Sequence, residues 1–474
     1  SQDGKFNYSF VYPISENFHV KIGYIRNNTL SFGFSMAGDY SKRKATIIAK
    51  KNPPPIIDNS EVYRKIVNAK KAENLYKSTL KVLRDNQIYL RSANVENNRY
   101  EVTFAQSKYL NNTQSIGRVT DILNEISPDV IEEFSLVTIN ADQSLYAVDI
   151  PRSSYKLYKP GQKTDALLED VIIYKPEPKQ HLAHDFRPRI KLPAGFYKIS
   201  PAIRSQIGGP DGFYFGDFSI SVHSEIIIKP NFNILAVGSI GLYNNFDELK
   251  LASDSILPHV RTDIVQYLKG SEKSHITRLQ ANYFGNPYKS IYTKLSAGIF
   301  EPMFSGYGGE ILYKPFGQSF GVGAEVWHVR QRSFRQLFRH RDYEIVTGHM
   351  NFYYVEPTTR VLLHLRGGKY LAKDSGFTFN VSRDFESGLN MGVFFSLTDI
   401  SKEEFGEGSF DKGFFFNIPI QVFFQEFSRG QTGFGLRPLT RDGAQFLVHA
   451  QNLWGTTYQA NRAQIVSEWD GFYD

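Results

Sequence analysis

Residues 389–397, Leu-Asn-Met-Gly-Val-Phe-Phe-Ser-Leu, alternate between apolar and mostly polar side chains. The odd positions hold Leu389, Met391, Val393, Phe395 and Leu397. The even positions hold Asn390, Gly392, Phe394 and Ser396. Because successive side chains of an extended chain point to opposite faces, this stretch predicts a β-strand with one apolar face.

The same alternation recurs through the second half of the chain. It predicts strands at 193–207, 213–226, 231–243, 273–284, 288–300, 306–315, 318–328, 343–355, 359–370, 375–384, 388–398, 410–421, 429–438 and 443–450. About fourteen strands of about ten residues each match the even strand number and the strand length of transmembrane β-barrels.

The lengths of the connections support the same fold. The long ones, 244–272, 329–342 and 399–409, follow the third, seventh and eleventh strands and therefore share one side. The opposite side has mostly turns, and only 422–428 is longer. Short turns on one rim and long loops on the other are typical of an outer-membrane barrel. We therefore predict a mainly β fold, a transmembrane antiparallel β-barrel over residues 192–450, with a tail at 451–474.

A different pattern precedes the predicted barrel. Helical periodicity and turn signals predict the order helix–strand–strand twice, at 60–84, 87–93, 99–106, a helix ending at Ser127-Pro128, 132–139 and 144–150. This predicts a periplasmic α+β domain at 60–150, large enough to fold alone. Linkers at 41–59, with Pro53-Pro54-Pro55, and at 151–191 flank it.

Within a predicted segment at 1–40, residues 4–38 alternate again, with Leu30, Phe32, Phe34 and Met36 on one face. We interpret these predicted strands as the closing strands of a second, upstream barrel. Two alternatives stay open: the strands pack on the α+β domain, or they join the main barrel.

Composition excludes several classes of protein. The 474 residues include no cysteine, which excludes disulfide scaffolds, thiolate zinc sites, Fe–S clusters and a cysteine nucleophile. The net charge of +7 is spread along the chain, and no nucleic-acid-binding module is present, so we expect no nucleic acid partner. The sequence contains no run of 18 apolar residues, so it predicts no transmembrane helix. An acidic polysaccharide or anionic lipid head groups remain compatible partners.

The long loop at 329–342 is the candidate binding site. It interleaves two phenylalanines with five arginines, Arg330, Arg332, Arg335, Arg339 and Arg341. Guanidinium groups bind carboxylates and phosphates in bidentate fashion, so the loop predicts contact with an acidic polymer. The alternatives are contact with lipopolysaccharide phosphates and folding into the lumen as a plug.

Other candidates are weaker. The acidic loop 399–411 carries Asp399, Glu403, Glu404, Glu407 and Asp411, and a solvated loop is favoured over glycosidase or Ca²⁺ chemistry. An amphipathic helix at 255–269 predicts either a cap over the pore or packing on the rim. His181, His184 and Asp185 are a weak metal signal. No nucleophile elbow, P-loop or dinucleotide fingerprint is present, so we expect no catalytic residues, no metal and no cofactor.

Several stretches resemble the YjbH family of Gram-negative outer-membrane proteins, GfcD-like, of exopolysaccharide and group 4 capsule production. They are Leu257–Asp263 (LPHVRTD), Asp342–His349 (DYEIVTGH), Gly367–Ala372 (GGKYLA), Phe405–Gly413 (FGEGSFDKG) and Arg437–Gly443 (RPLTRDG). The resemblance runs through most of 193–450, and the FGEGSFDKG and RPLTRDG stretches are specific.

The resemblance implies two outer-membrane barrels with a periplasmic α/β region between them. It also implies a lipoprotein and small periplasmic proteins as partners, and a role in secretion or assembly of a surface polysaccharide. The chain departs from the family because most of the expected N-terminal barrel is absent, which suggests a fragment or a processed chain. The family supplies no catalytic residues to carry over.

We therefore predict a non-enzymatic outer-membrane protein that guides an acidic exopolysaccharide. The five arginines would attract the polymer at the outer rim. Polar residues that face inward would line its path: Arg278, Asn282, Lys294, His349 and Asn351. Two other functions stay open, a plugged structural scaffold that recruits periplasmic partners and a surface enzyme built on a barrel.

Overall fold

The computed structural model describes residues 8–15, 18–25, 29–36, 72–158, 164–207, 212–249, 255–272, 274–405, 409–422, 427–437 and 441–473. The predicted linker at 41–59 and the predicted helical residues 60–71 lie outside the described residues. The fold is mainly β, with three separate sheets.

The first sheet has three antiparallel strands, β1 (Tyr8–Ser15), β2 (Phe18–Ile25) and β3 (Thr29–Met36). Its apolar side chains share one face and are exposed, among them Phe10, Phe32 and Phe34 at 72–80%. In the described residues these strands pair with one another and not with the other two sheets.

Residues 72–174 form an α+β unit. Its helices are α1 (Ala72–Asp85), α2 (Asn112–Ile126), α3 (Arg152–Leu157) and α4 (Thr164–Asp170). Its strands are β4 (Ile88–Glu96), β5 (Arg99–Gln106), β6 (Glu133–Asn140), β7 (Gln143–Pro151) and β8 (Ile172–Tyr174), paired in that order. The β5–β6 pair is parallel because α2 crosses between the two strands.

Local sequence explains where α2 begins and ends. The Asn111 side chain accepts a hydrogen bond from the amide of Thr113 and caps the first turn. Ser127 is extended, as expected of a residue that precedes a proline, here Pro128. The buried side of α2, with Ile116, Val119 and others, packs into the core of the α+β unit.

The largest sheet has thirteen antiparallel strands, each paired with its neighbours in sequence. They are β9 (Ala194–Ile207), β10 (Tyr214–Lys229), β11 (Phe232–Asn244), β12 (His275–Tyr288), β13 (Ile291–Ile299), β14 (Phe304–Tyr313), β15 (Phe320–Arg332), β16 (His340–Val355), β17 (Val361–Lys369), β18 (Ser375–Asp384), β19 (Asn390–Thr398), β20 (Asp411–Pro419) and β21 (Gln431–Leu436).

The fourteenth predicted strand, at 443–450, is not a strand in the structure. Ala444 and Gln451 adopt positive φ angles of 62° and 53°, which interrupt an extended conformation. Backbone groups of this stretch bond to side chains of the large sheet instead of to another strand. The predicted count of fourteen therefore becomes thirteen in the described residues.

The two faces of the large sheet differ in polarity. One face, called the outer face here, carries exposed apolar side chains: Tyr283, Leu295, Tyr307, Ile311, Val326, Val346, Met350, Phe352, Leu363, Phe377, Phe379, Val381, Val393, Phe395 and Leu397. The inner face carries buried polar side chains, among them Asn233, Gln280, Asn282, Lys294, Ser296, Thr347, His349, Asn351, Thr378, Ser382 and Ser396.

The α+β unit contacts the rim of the large sheet that has the short turns. Gln143 donates to the carbonyl of Gly285 at 2.9 Å, and the amide of Ser144 donates to Asn286 at 3.2 Å. Tyr292 and Phe316 from this rim join the hydrophobic core of the α+β unit. Among the described helices, none is long and apolar enough to cross a membrane.

Candidate functional site

Residues 442–460, called the strap here, lie along the inner face of the large sheet. The strap contacts inner-face residues on many strands: Asn233 of β11, Gln280 of β12, Lys294 of β13, Glu310 of β14, Glu325 of β15, Tyr353 of β16 and Arg366 of β17. The strap therefore crosses seven consecutive strands of the sheet, from β11 to β17.

The first residues of the strap are fixed at the rim that carries the long loops. Asp442 accepts hydrogen bonds from the amides of Arg261 at 2.7 Å and Thr262 at 2.9 Å. The amide of Ala444 donates to the carboxylate of Asp374 at 2.7 Å. Burial raises the pKa of Asp374 to about 6, because its charged form is desolvated in this loop.

The middle of the strap meets a buried charged cluster. The ammonium group of Lys294 contacts Glu310 at 2.7 Å, His449 at 3.1 Å and the carbonyl of Ala450 at 2.9 Å. His449 also contacts Glu325 at 3.1 Å through its other ring nitrogen. Because the Lys294 side chain is fully buried, these contacts replace the hydration that it loses.

Side-chain amides continue the polar contact. Gln280 both donates to the carbonyl of Ala450 and accepts from its amide, each at 3.1 Å. Asn233 and Asn282 donate to Gln451 at 3.0 and 3.2 Å. These amides take the place of a neighbouring strand, which explains why the strap needs no β-pairing.

The strap leaves the inner face at the short-turn rim. Trp454 stacks on Tyr353 with ring centroids 4.1 Å apart and planes at 5°. Lys314 donates to the carbonyls of Thr457 at 2.7 Å and Tyr458 at 3.0 Å. Burial, with the nearby Lys175 as a second cause, lowers the pKa of Lys314 to about 7.

Residues 461–473, called the docking end here, then reach the α+β unit. They include a short helix, α8 (Arg462–Ser467), which follows α5 (Ile264–Lys269), α6 (Lys402–Phe405) and α7 (Leu453–Thr456) in the chain. Trp469 and Phe472 are at most 3% exposed and join the core beside α2. A Cβ at Gly117 of α2 would overlap the carbonyl of Phe472, so glycine permits this close approach.

The strap and strands β14 to β17 line an open pocket of about 200 Å³. Glu310, Glu325, Asn351 and Arg366 supply its polar lining. Its aromatic lining is already in use, since Tyr353 stacks on Trp454 and on His364. The polar groups are also in use: Glu310 contacts Lys294, Glu325 contacts His449, and Asn351 accepts from Arg366. The pocket therefore leaves few polar groups for a ligand.

The five arginines of the predicted binding loop occupy three different environments. Arg332 is 1% exposed and donates to the carbonyls of Ile276, Glu301, Pro302 and Leu337. Arg341 pairs with Asp263 at 2.6 Å and lies over the ring of Phe334. Only Arg330, Arg335 and Arg339 are exposed.

A model of the YjbH family, described as "Exopolysaccharide biosynthesis protein YbjH", matches residues 1–459. The chain belongs to the YjbH family. The resemblance of the quoted motifs is thereby confirmed, and the connection with exopolysaccharide biosynthesis applies to the family as a whole.

A curated member of the YjbH family is similar along nearly the whole chain. The "Uncharacterized lipoprotein YjbH" of Escherichia coli (strain K12) is 27% identical over 476 residues, which cover 96% of this chain. The match covers 65% of the relative's own length, so the chain spans about two thirds of that protein.

In this YjbH-family chain, the predicted inward residues do share the inner face. Asn282 and Lys294 contact the strap directly. Asn351 accepts from His364 and Arg366 instead, at 2.9 and 3.2 Å. The other two, His349 and Arg278, lie 3.4 Å from Glu325 and 3.0 Å from the carbonyl of Phe300.

Sequence reasoning missed the partners of this set. Gln280, Glu310, Glu325, Arg366 and His449 complete the contact between the inner face and the strap. The sequence signal for these partners was the set of polar positions that alternate with the apolar ones in each strand. A charged side chain on the buried face of a strand destabilises the fold unless it is paired, so each such residue predicts a partner.

The remaining candidates have structural contacts. In the acidic loop, Asp411 is 3% exposed and pairs with Arg437 at 3.3 Å. The predicted helix at 255–269 is helical only at Ile264–Lys269, and Val260 is buried beside Trp327. His184 lies between Ser92 and Glu101 at 2.8 and 2.9 Å. Within the described ranges, no group of three His, Cys, Asp or Glu could hold a metal ion.

Proposed function

We propose that this chain is a non-enzymatic outer-membrane protein in which the large sheet closes into a β-barrel. The observation that supports this proposal is the difference between the two faces of that sheet, since exposed side chains on the outer face are apolar and many buried side chains on the inner face are polar. Its outer face exposes large apolar side chains on strand after strand, more than soluble monomers normally leave in water. A lipid bilayer would solvate this apolar face. Strands of membrane barrels alternate in the same way, with apolar side chains toward the lipid and polar side chains toward the lumen.

We further propose that the protein takes part in secretion or assembly of an acidic exopolysaccharide. The chain belongs to a family whose description names exopolysaccharide biosynthesis, and this membership supports the proposed role. The relative is named a lipoprotein, and an envelope location for this chain agrees with that name. Periplasmic proteins and a lipoprotein of the same pathway are the proposed partners, together with outer-membrane lipids.

The proposed mechanism is guidance of the polymer along the inner face. The inward residues Arg278, Asn282, Lys294, His349 and Asn351 are all on that face, as this mechanism requires. The strap lies on part of it, however, so the polymer would pass beside the strap or after its displacement. The alternative function, a plugged scaffold, is favoured by the strap itself, which joins the inner face to the α+β unit.

The first test is the electrophoretic mobility of chain extracted from outer membranes in mild detergent. A closed barrel migrates differently before and after boiling, and its circular dichroism spectrum is rich in β structure. Identical mobility together with solubility in plain buffer would overturn the membrane placement. The strands would then belong to a soluble β protein.

A second test separates the exporter from the scaffold. An exporter produces conductance steps when purified protein is inserted in planar bilayers, whereas a scaffold with the strap in place stays silent. In cells that lack the gene, the amount of surface polymer should fall and should return with the intact gene. Unchanged polymer would remove the role in secretion while leaving the barrel untouched.

A further inference from the structure

The three exposed arginines lie outside the inner face, and their surroundings indicate a ligand other than the polymer. On β15 the outward positions from Val322 to the long-loop rim are Val322, Ala324, Val326, His328 and Arg330. The apolar part of the outer face therefore ends near His328. Arg330 follows two residues later, about 7 Å along the strand.

An aromatic residue marks this boundary on the neighbouring strand. Tyr307 of β14 is 60% exposed and pairs with His328, with ring centroids 5.2 Å apart. Tyrosine is enriched where a barrel crosses from hydrocarbon to head groups, because its ring is apolar and its hydroxyl is polar. The position of Arg330 just beyond Tyr307 is thus the level of lipid head groups.

The loop that joins β15 to β16 presents further groups of the same kind. Phe338 is 66% exposed and Leu337 is 38% exposed, and they lie between the exposed Arg335 and Arg339. The loop holds its shape through Gln336, which is fully buried and donates to the carbonyl of Tyr267 at 2.6 Å. Exposed apolar and cationic side chains therefore lie next to one another on a loop that is anchored from below.

Charge also favours an anionic partner at this surface. Among the described residues, Arg335 and Arg339 make no ion pair, and Arg330 is engaged through a hydrogen bond to the carbonyl of Arg341. Two carboxylates, Asp342 and Glu344, are exposed nearby on β16 and offset part of this charge. By contrast, the arginines above the inner face are already bound: Arg261 to Glu301, Arg332 to carbonyls and Arg341 to Asp263.

We propose that Arg330, Arg335 and Arg339, with Tyr307 and Phe338, form a docking surface for the phosphate groups of an anionic glycolipid in the outer leaflet. Guanidinium groups bind phosphate in bidentate fashion, and exposed rings next to them insert among acyl chains or sugars. The inference rests on the proposed outer-membrane placement. It assigns these arginines to lipid and leaves the inner face to the polymer.

The test reconstitutes the protein in phosphatidylcholine nanodiscs that contain bisphosphorylated or dephosphorylated lipid A. After affinity purification in mild detergent, mass spectrometry measures the lipid A that each protein retains. The native chain should retain the phosphorylated form in excess. The variant R330Q/R335Q/R339Q should retain about tenfold less of it, because each lost cation near the surface weakens binding to anionic lipid.

Two further variants make the result specific. R187Q/R189Q/R383Q removes the same charge from exposed positions outside the long-loop rim and should retain lipid A as the native chain does. R330K/R335K/R339K keeps the charge, loses bidentate geometry and should fall between the two. Heat-modifiability of every variant shows that the barrel has formed.

Four outcomes overturn the proposal. Equal retention of phosphorylated and dephosphorylated lipid A means that phosphate is not recognised. Equal loss in both glutamine variants means that only net charge matters. Binding of soluble alginate, a uronic acid polymer, that depends on the same three arginines while lipid A does not, returns them to the polymer. Failure of the native chain to enter nanodiscs removes the membrane placement as well, which distinguishes that failure from the others.

Discussion

At their centres, strand β5 of the α+β unit and strand β13 of the large sheet bury different kinds of side chain. In the α+β unit Tyr100, Val102 and Phe104 are completely buried on strand β5, and the core around them is apolar. In the large sheet the neighbours Lys294 and Leu295 are 1% and 63% exposed. Burial therefore favours apolar residues at the centre of β5 and a polar residue at the centre of β13, whereas nearer the long-loop rim the large sheet also buries apolar residues such as Trp327 and Val329.

The difference shows that strands with similar sequence patterns can be stabilised in two different surroundings. Strands in both regions carry apolar side chains, and propensity alone gives similar predictions for them. What differs is the surroundings: a closed protein core in the α+β unit and, as we propose, lipid outside with a polar strap inside in the large sheet. Under this proposal, an apolar residue on the outer face is stabilised by contact with lipid, and a charged residue on the inner face is stabilised by an ion pair or hydrogen bond.

The largest expected effect comes from breaking the inner polar contact at Lys294. Lys294→Met leaves the carboxylate of Glu310 without its cation, and loss of one partner of a buried pair costs about 3–5 kcal/mol of unfolding free energy. Guanidinium unfolding in detergent, followed by tryptophan fluorescence, measures this cost, since Trp327 lies 5.5 Å from the Lys294 ammonium. Lys289→Met, whose ammonium is exposed, is the control and should change stability by less than about 1 kcal/mol. Equal effects would show that the inner face is not a buried polar core.

A charge on the outer face tests the other half of the comparison. Leu295→Lys should lower the stability by about 2–4 kcal/mol in a bilayer, because an ammonium group near the membrane centre is poorly solvated. Tyr288→Lys, at the end of β12 beside the short turn, should cost about 0–1 kcal/mol because it lies at the interface. Reversible unfolding in lipid vesicles measures both variants. If Leu295→Lys stayed within about 0.5 kcal/mol of the native chain, water rather than lipid would be the solvent of this face.

The smallest expected effect is a pH dependence where the strap leaves the sheet. The pKa of Lys314 is about 7 in the folded state against 10.5 for the free side chain. Between these values the unfolded state binds more protons than the folded one, so Lys314 should contribute a rise in stability of about 1 kcal/mol from pH 7 to 8. Melting temperatures at increasing pH measure this slope for the native chain and for Lys314→Met. In the variant only Lys175, whose pKa is also about 7, should still contribute such a rise, so the slope should be about half that of the native chain, and an unchanged slope would contradict the assignment.

Much of the fold follows from local pattern. The alternation at 375–384 predicted the strand that the structure has at Ser375–Asp384. The turn at Asn97-Asn98 separates β4 from β5, and both residues adopt the positive φ angles that asparagine tolerates. These features need only the chain's own neighbours, which is why a single sequence predicts them.

The rest depends on residues far apart in the chain. Residues 443–450 alternate as a strand does, yet their partners are side chains such as Gln280, which lies 170 positions from Ala450. Arg332 has the same side chain as Arg335, yet carbonyls from three other segments bury it. Period-two patterning fixes which side chains share a face but not what lies against that face.

The strap also has a consequence for the order of assembly. Its contacts join residues that are very distant in sequence, 156 positions for Lys294 with Ala450 and 316 for Asn140 with Thr456. Closing such large loops is slow, and local strand pairs form first. We therefore expect the strands to pair while the inner face is still hydrated, and Lys294 to gain His449 and the carbonyl of Ala450 as partners only when residues 442–460 arrive. Arrival of the strap should also bring Trp469 and Phe472 to helix α2, which adds a late set of contacts to those that Gln143 and Ser144 already make with the short-turn rim.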